Sequence, residues 1–443
     1  MAMAVQTLEG ISLTSLAESI TSNVKIITDI LNDQNLPHPT LSPSGPMHYT
    51  GGRDDAQLQE ARTKLLTSAW ALEQLAAGPQ DYIYWQAYTT KYDLTTLTVF
   101  AKFGIFEAVP TSGDISYSDL AAKLPLTERQ VRRLFRHAMT KNIFFEPRPD
   151  HVAHTALSIA PVKKRSLTAW INHNLGEILP ASSRLGEAIE KYGDSQDPTE
   201  AAISIAWNLE QGKSLFDWFR DDGEGSEKGW RARQFAQCME SMDGGGHETR
   251  FAADGFDWES LGEATVVDVG GSGGHVSILL AEKFPALRLV VQDLPEVETA
   301  FEDLVAHNLK SRVAFQAHNF MTPQPQQSAD VFLLRHVLHD WSDAIAVNIL
   351  RNILNCRDGL VKDGARLIVV DNIMPPRGAL PLPIERLITT ADLQMWTALN
   401  ALERRKEDWI ELFRQADERL EPVAFVQPEG SSDTVIEVVF RHK

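Results

Sequence analysis

Three short segments of this 443-residue chain gather side chains that can move a proton. The first, LRHVLHDWSD at 334–343, holds His336, His339 and Asp340. The second opens with Asp371, and the third, at 400–409, carries Glu403 just after Asn400. An imidazole titrates near neutrality, so it can accept a proton from a hydroxyl as that oxygen attacks. His336 and His339 stand three apart, but no third ligand follows at metal-binding spacing, so no metal is expected. A different chemistry is offered by DVGGSGG at 268–274. Its Gly270, Gly271 and Gly273 let backbone N–H groups approach a ligand where a side chain would collide. Asp293 follows at about twenty residues, the distance at which a carboxylate grips a ribose hydroxyl. A dinucleotide fingerprint would place a third glycine or alanine where Val276 stands, so that match fails.

The elements that must position these groups are legible as a periodic pattern. Apolar runs at 265–269, 287–293, 313–317, 331–334, 364–371 and 434–440 read as strands, and 276–283, 344–356 and 407–415 as helices. Strands alternating with helices predict a Rossmann-like, doubly wound sheet of the α/β class, with ligands at the carboxyl ends of the strands. Upstream, residues 5–34 have helical periodicity, and the proline-rich stretch 36–46 is an extended connector. Helical stretches at 55–77 and 81–103 follow. Residues 83–160 have the rhythm of a winged helix: helices at 94–106, 116–124 (Ser118 as cap) and 127–139, then a hairpin wing at 143–153. From 166 to 255 the chain is helical, and as far as Trp258 it is rich in rings with polar groups between them, as a pocket for a flat molecule requires. Candidate substrate contacts are His173, Trp207, Gln211, Met242 and His247, with His336, Asp340, Trp396 and Asn400 from downstream. The expected division is an N-terminal helix and arm (1–50), a winged-helix-like dimerisation domain (51–165), a helical pocket region (166–255) and a catalytic domain (256–443).

Bulk composition narrows the class. There are 42 basic and 60 acidic residues, a net charge of −18, which opposes a general nucleic-acid binder. No apolar run reaches the roughly eighteen residues of a membrane span. The two cysteines, Cys238 and Cys356, predict no disulfide framework and fit a reducing, cytoplasmic setting.

The glycine loop resembles the sulfonium-cofactor loop of S-adenosylmethionine methyltransferases. Together with the DLP, HDW and N-x-x-E-R segments in this order, it makes almost the whole chain similar to the small-molecule O-methyltransferases of the caffeic-acid type, in their fungal secondary-metabolism branch. The resemblance implies an N-terminal dimerisation domain, hence a homodimer, and S-adenosylmethionine as cofactor. It implies that His339 is the general base and that Asp371 and Glu403 orient it, since a carboxylate on the far ring nitrogen fixes the tautomer and stabilises the imidazolium. It assigns Asp268, Gly270, Gly271, Gly273, Asp293, Leu294, Asn319, Phe320 and Arg335 to the cofactor. The sequence departs from the family at Asn319 (an acid elsewhere), Asp371 (often Glu), Arg335 (Lys) and Ala401 (Gly). The expected reaction is methyl transfer to a hydroxyl of an aromatic or polyketide-type metabolite. Two alternatives share the fold: a pericyclase that binds the cofactor without consuming it, and a non-catalytic pseudoenzyme or winged-helix regulator.

Overall fold

The computed structural model describes residues 10–47, 55–242, 247–356 and 359–442. Among them, two compact units interleave along the chain. One takes 1–180, 219–241 and 377–387, and the other 181–218, 242–376 and 388–443.

The first unit is helical. Helices α1 (Leu13–Asp33) and α2 (Ala56–Ala77) pack through Ile27, Leu31, Leu58 and Ala61. Ser12 and Ser15 cap α1 reciprocally, so it starts later than the periodicity from 5 predicts, and residues 5–9 lie outside the described ones. The connector lies along the helix Ala156–Lys163, where Leu41 and Pro43 carbonyls accept from Ala156 N–H and the Lys163 ammonium. The expected helix at 81–103 is two, Pro79–Tyr88 and Thr90–Lys102. At the break the Thr89 hydroxyl donates to the Trp85 carbonyl at 2.8 Å. The second of these stops before Gly104, whose φ of +62° ends the run predicted to reach 106. Ser116, rather than Ser118, caps the next helix, accepting from Asp119 N–H at 3.0 Å. Helix α3 (Glu128–Ala138) starts at a Thr127–Gln130 capping box. Its Val131 and Phe135 enter a core with Phe100, Phe106 and Phe144. The wing is reduced to a Phe145–Ala153 bridge, because His151–Val152 pairs with Ile115–Ser116 instead. Arg132 on α3 is held in ion pairs with Glu128 and Asp150.

The second unit carries a seven-stranded sheet. Its strands are β1 (Thr265–Val269), β2 (Arg288–Asp293), β3 (Val313–Ala317), β4 (Val331–Arg335), β5 (Arg366–Asn372), β6 (Leu420–Val426) and β7 (Asp433–Phe440), in the order β6-β7-β5-β4-β1-β2-β3. Neighbours from β5 to β3 are parallel, and β7 runs antiparallel to β5 and β6. Successive residues of a strand serve opposite faces. Val267, Val269, Phe332, Leu334 and Val369 meet helices α5 (Asp343–Leu354) and α7 (Lys406–Ala416). Val266, Leu289, Val291, Leu333 and Val370 meet α4 (His275–Lys283) and Trp258. Each such side chain fully buried contributes about 1.5–3 kcal/mol, so this two-sided sheet is the rigid frame on which the rim loops are built. The helix predicted to reach 356 stops at Leu354, since Asn355–Cys356 pairs with Gly359–Leu360. Two elements not foreseen are β6 and the helix α6 (Leu382–Leu399).

Candidate functional site

Parallel strands β1, β2, β4 and β5 end at one rim, at Val269, Asp293, Arg335 and Asn372. Antiparallel β7 begins there, with Asp433 opposite Asn372 and Thr434 opposite Asp371. The rim is therefore where side chains distant in sequence converge.

At the mouth of β1, Gly270 and Gly274 take φ of +72° and +80°. A Cβ on Gly271 would come within 2.7 Å of Asp268 Cγ, so close approach of backbone requires glycine there. Asp268 is buried, accepts from the Ser277 hydroxyl at 2.7 Å, and burial pushes its carboxyl up to about 6. Asp293 accepts the N–H groups of Ser272 at 2.8 Å and Leu294 at 2.7 Å, which ties the loop to the end of β2. A Cβ on Gly270 would stand 3.6 Å from Phe320, so that ring borders the loop. Asn319 uses its Oδ1 to accept from Met321 N–H at 2.9 Å, and Leu294 is partly exposed. The arrangement fits an adenosyl cofactor: open backbone at the glycines, an acid at the β2 end and a flat ring beside them.

Beyond β4 the chain turns sharply. His336 adopts φ of +50°, and its N–H donates to the Val370 carbonyl at 3.0 Å. His339 follows in the turn Leu338–Asp340. That turn is clamped by Arg404, whose fully buried guanidinium donates to the Leu338 and Trp341 carbonyls, each at 2.7 Å, and to Asp343 at 2.8 Å. The His339 Nδ1–H donates to Glu403 Oε1 at 2.9 Å, and Asp371 Oδ1 is 3.6 Å from the same nitrogen. Nε2 remains for another partner, with Asp340 Oδ1 at 3.6 Å. Burial opposes a charge on this imidazole, but Asp371, Asp340 and Glu403 outweigh it and hold the ring well above its ordinary value. Burial, with Glu403 close by, lifts the Asp371 carboxyl to about 7, and burial lifts Asp340 to about 6. Glu403 is placed by its own N–H, which donates to Asp392 at 2.9 Å.

A second cluster lies alongside. Asp433 Oδ1 accepts from His247 Nδ1–H at 2.6 Å and His336 Nε2–H at 2.9 Å, while Arg335 donates to the His247 carbonyl. Among the described residues, buried atoms lacking a hydrogen-bond partner include Asp371 Oδ2, Glu403 Oε2, Asp433 Oδ2 and Arg335 Nε. Native structures keep few such atoms, and these four gather at one rim of the sheet.

The other expected contacts are scattered in environment. Trp207 packs on Trp218 with ring centres 5.1 Å apart, Gln211 is exposed, Trp396 on α6 is exposed, and Asn400 donates to the Asp197 carbonyl at 2.8 Å. His173, in the helical unit, is buried and donates from Nδ1 to Glu177 at 2.8 Å within a π-helical segment, Asn172–Ile178. Its ring nitrogen is already committed to that carboxylate. The side chain of Met242 lies outside the described residues. Sequence reasoning missed Arg404 and Asp433. Arg404 adjoins Glu403, which was a usable signal, whereas nothing near Asp433 in sequence announces its partners.

Comparison with known proteins places this geometry. An O-methyltransferase domain model matches residues 192–417, and an O-methyltransferase dimerisation domain model matches 85–163. O-methyltransferase pgmB of Aspergillus terreus is 34% identical over 443 residues, covering 98% of this chain and 96% of that protein. O-methyltransferase aoiF of Aspergillus oryzae is 35% identical, covering 96% and 98%. In fold the chain matches OxaC, solved also with sinefungin and meleagrin, at a TM-score of 0.76, 20–21% identity and 96% coverage of this chain, with 99–100% of OxaC. It matches LepI, solved with S-adenosylmethionine, at 0.72 and 22% identity, covering 96% of this chain and all of that one. A structure described as a pericyclic reaction enzyme matches with the same score, identity and coverage. With relatives above 30% identity along nearly its full length, and with both family models in register, this chain belongs to the O-methyltransferase family.

Proposed function

We propose that the chain methylates a hydroxyl of an aromatic or polyketide-type small molecule, with His339 as the general base. The observation that carries this reading is the buried pair of carboxylates on one face of His339, Glu403 at 2.9 Å and Asp371 at 3.6 Å, which leaves Nε2 to receive a proton. S-adenosylmethionine, when bound, supplies a methyl group on a positively charged sulfur that an oxygen nucleophile can attack in line.

The chain's own residues do the rest. Gly270, Gly271 and Gly273 leave room for the cofactor, with Asp268 beneath the loop. Asp293 and Leu294 take the ribose end, Asn319 and Phe320 the adenine, and Arg335 a polar contact. His339 Nε2 takes the hydroxyl proton as attack proceeds, and the imidazolium so formed is stabilised by Glu403 and Asp371. Asp340 lies on the Nε2 side, at 3.6 Å, where it can orient the acceptor. Phe216 and Phe320 give apolar walls on either hand of Trp341, each ring centre 6.0 Å from that of the indole. A dry surround strengthens the attraction between the base and its carboxylates.

The matched dimerisation domain supports a homodimer, and the exposed Ile83, Tyr84, Trp85 and Tyr88 offer apolar surface for pairing. No helix among the described residues is long and apolar enough to cross a membrane. The reading is tested by incubating the protein with S-adenosylmethionine and a panel of hydroxylated aromatics, measuring both organic product and S-adenosylhomocysteine by mass spectrometry. A methylated product with equal S-adenosylhomocysteine supports it. An isomerised or dehydrated product with the cofactor unconsumed would assign the site to pericyclic chemistry instead.

A further inference from the structure

We propose that His247, His336 and Asp433 form a second polar anchor beside His339, one that accepts a hydrogen bond from a further hydroxyl of the acceptor and so selects rings carrying two hydroxyls. The proposal rests on the methyl-transfer reading and names the acceptor class for the same site.

Asp433 is fully buried at the start of β7, and one of its oxygens receives both imidazoles, at 2.6 and 2.9 Å. Burial alone would raise this carboxyl, but His336 and His247 outweigh it and hold it well below the usual carboxylate range. An ionised carboxylate only accepts, so each bonded nitrogen carries a hydrogen: Nε2 of His336 and Nδ1 of His247. Burial pushes the His336 imidazole down to about 4, so near neutral pH it carries one hydrogen and its Nδ1 is an acceptor. The His336 side chain keeps 20% of its surface open. Its ring centre is 5.6 Å from that of His339, so the two imidazoles are direct neighbours.

A purely structural role fits poorly. Burying a carboxylate between two imidazoles costs desolvation that a packed apolar trio would avoid. His336 also takes a left-handed backbone conformation, φ +50°, which is uncommon for residues other than glycine. Strain and orphaned polar atoms together mark a site shaped for binding. A metal ion is a weaker occupant. The three ligand atoms do lie within 4.8 Å of one another, but the Arg335 guanidinium, 4.0 Å from Asp433 Oδ2, already supplies positive charge.

The test uses the full chain saturated with S-adenosylhomocysteine, titrated calorimetrically with a naphthol and with the naphthalenediol that adds a second hydroxyl meta on the same ring. His336→Asn is the main variant, since asparagine tolerates positive φ and removes the imidazole; Asp433→Asn is the second. The diol should bind wild type about tenfold more tightly than the naphthol, the worth of one good hydrogen bond. In either variant that preference should fall to within twofold. Equal binding of the two compounds by wild type, a preference unchanged in His336→Asn, or a preference lost on chelation and restored by zinc would each overturn the proposal. The same mixtures run with S-adenosylmethionine report methyl product separately, so failure of methyl transfer is read independently of failure of recognition.

Discussion

The Nδ1 atom of His339 lies 2.9 Å from Oε1 of Glu403, a residue 64 positions downstream, and both sit at one rim of the same sheet. The contact fixes which imidazole nitrogen faces outward. It also adds to the affinity of that ring for a proton: burial opposes the charge, and Asp371, Asp340 and Glu403 together overcome that cost.

A pH dependence follows. His339 must be unprotonated to act as base, and its value lies well above the ordinary 6.5. The acidic limb of kcat/KM should therefore lie above that of an ordinary histidine, with activity rising as pH increases. Burial lifts the Asp371 carboxyl to about 7 against the opposing pull of His339, so the two groups influence one another's protonation. Glu403→Gln removes one charge that favours the imidazolium, so the limb should move to lower pH while kcat falls. A limb that stays in place or moves upward would contradict the assignment.

Arg404 is expected to matter for stability as well as rate. Its buried guanidinium satisfies two carbonyls of the His339 turn and reaches Asp343. Arg404→Met fills similar volume but leaves those carbonyls unpaired, at a cost of about 1–3 kcal/mol each. An unfolding free energy from urea titration lowered by several kcal/mol, and kcat reduced more than cofactor affinity, are the predicted readouts. A variant as stable and as active as wild type would remove Arg404 from the account.

The glycine loop permits a comparison of two neighbouring substitutions. A Cβ on Gly271 would press within 2.7 Å of buried Asp268, and within 3.0 Å of Val291. A Cβ on Gly273 would press on the end of the Leu304 side chain at 2.7 Å, which can rotate away, and would meet His275 Nε2 and the Ala300 carbonyl at ordinary distances of 3.7 and 4.0 Å. Gly271→Ala should therefore weaken S-adenosylmethionine binding at least about tenfold by calorimetry, and clearly more than Gly273→Ala. The reverse order would mean that the loop is not held as described.

Much of this was legible in the chain. The runs at 265–269 and 331–334 are buried on both faces and read as parallel strands without help from tertiary structure. The glycine loop and the HDW segment carried their own meaning through local spacing. What escaped the sequence is non-local. Strand β6 contains Pro422 and a register irregularity beside it, which suits an edge strand but hides its pattern. Asp433 meets His336 across 97 positions and His247 across 186, through the antiparallel register of β7 on β5, and no local rule reports such a meeting. The conversion of His173 from pocket candidate to buried partner of Glu177 likewise depended on tertiary burial.

The most direct measurement is product analysis of His339→Ala beside wild type, with S-adenosylmethionine and a hydroxylated aromatic that wild type turns over. Wild type should give a product one methyl group heavier and an equal amount of S-adenosylhomocysteine. The variant should lose about 10²–10⁴-fold in kcat while binding the cofactor within twofold of wild type. Undiminished methyl transfer by His339→Ala, or product formed with the cofactor unconsumed, would contradict the account.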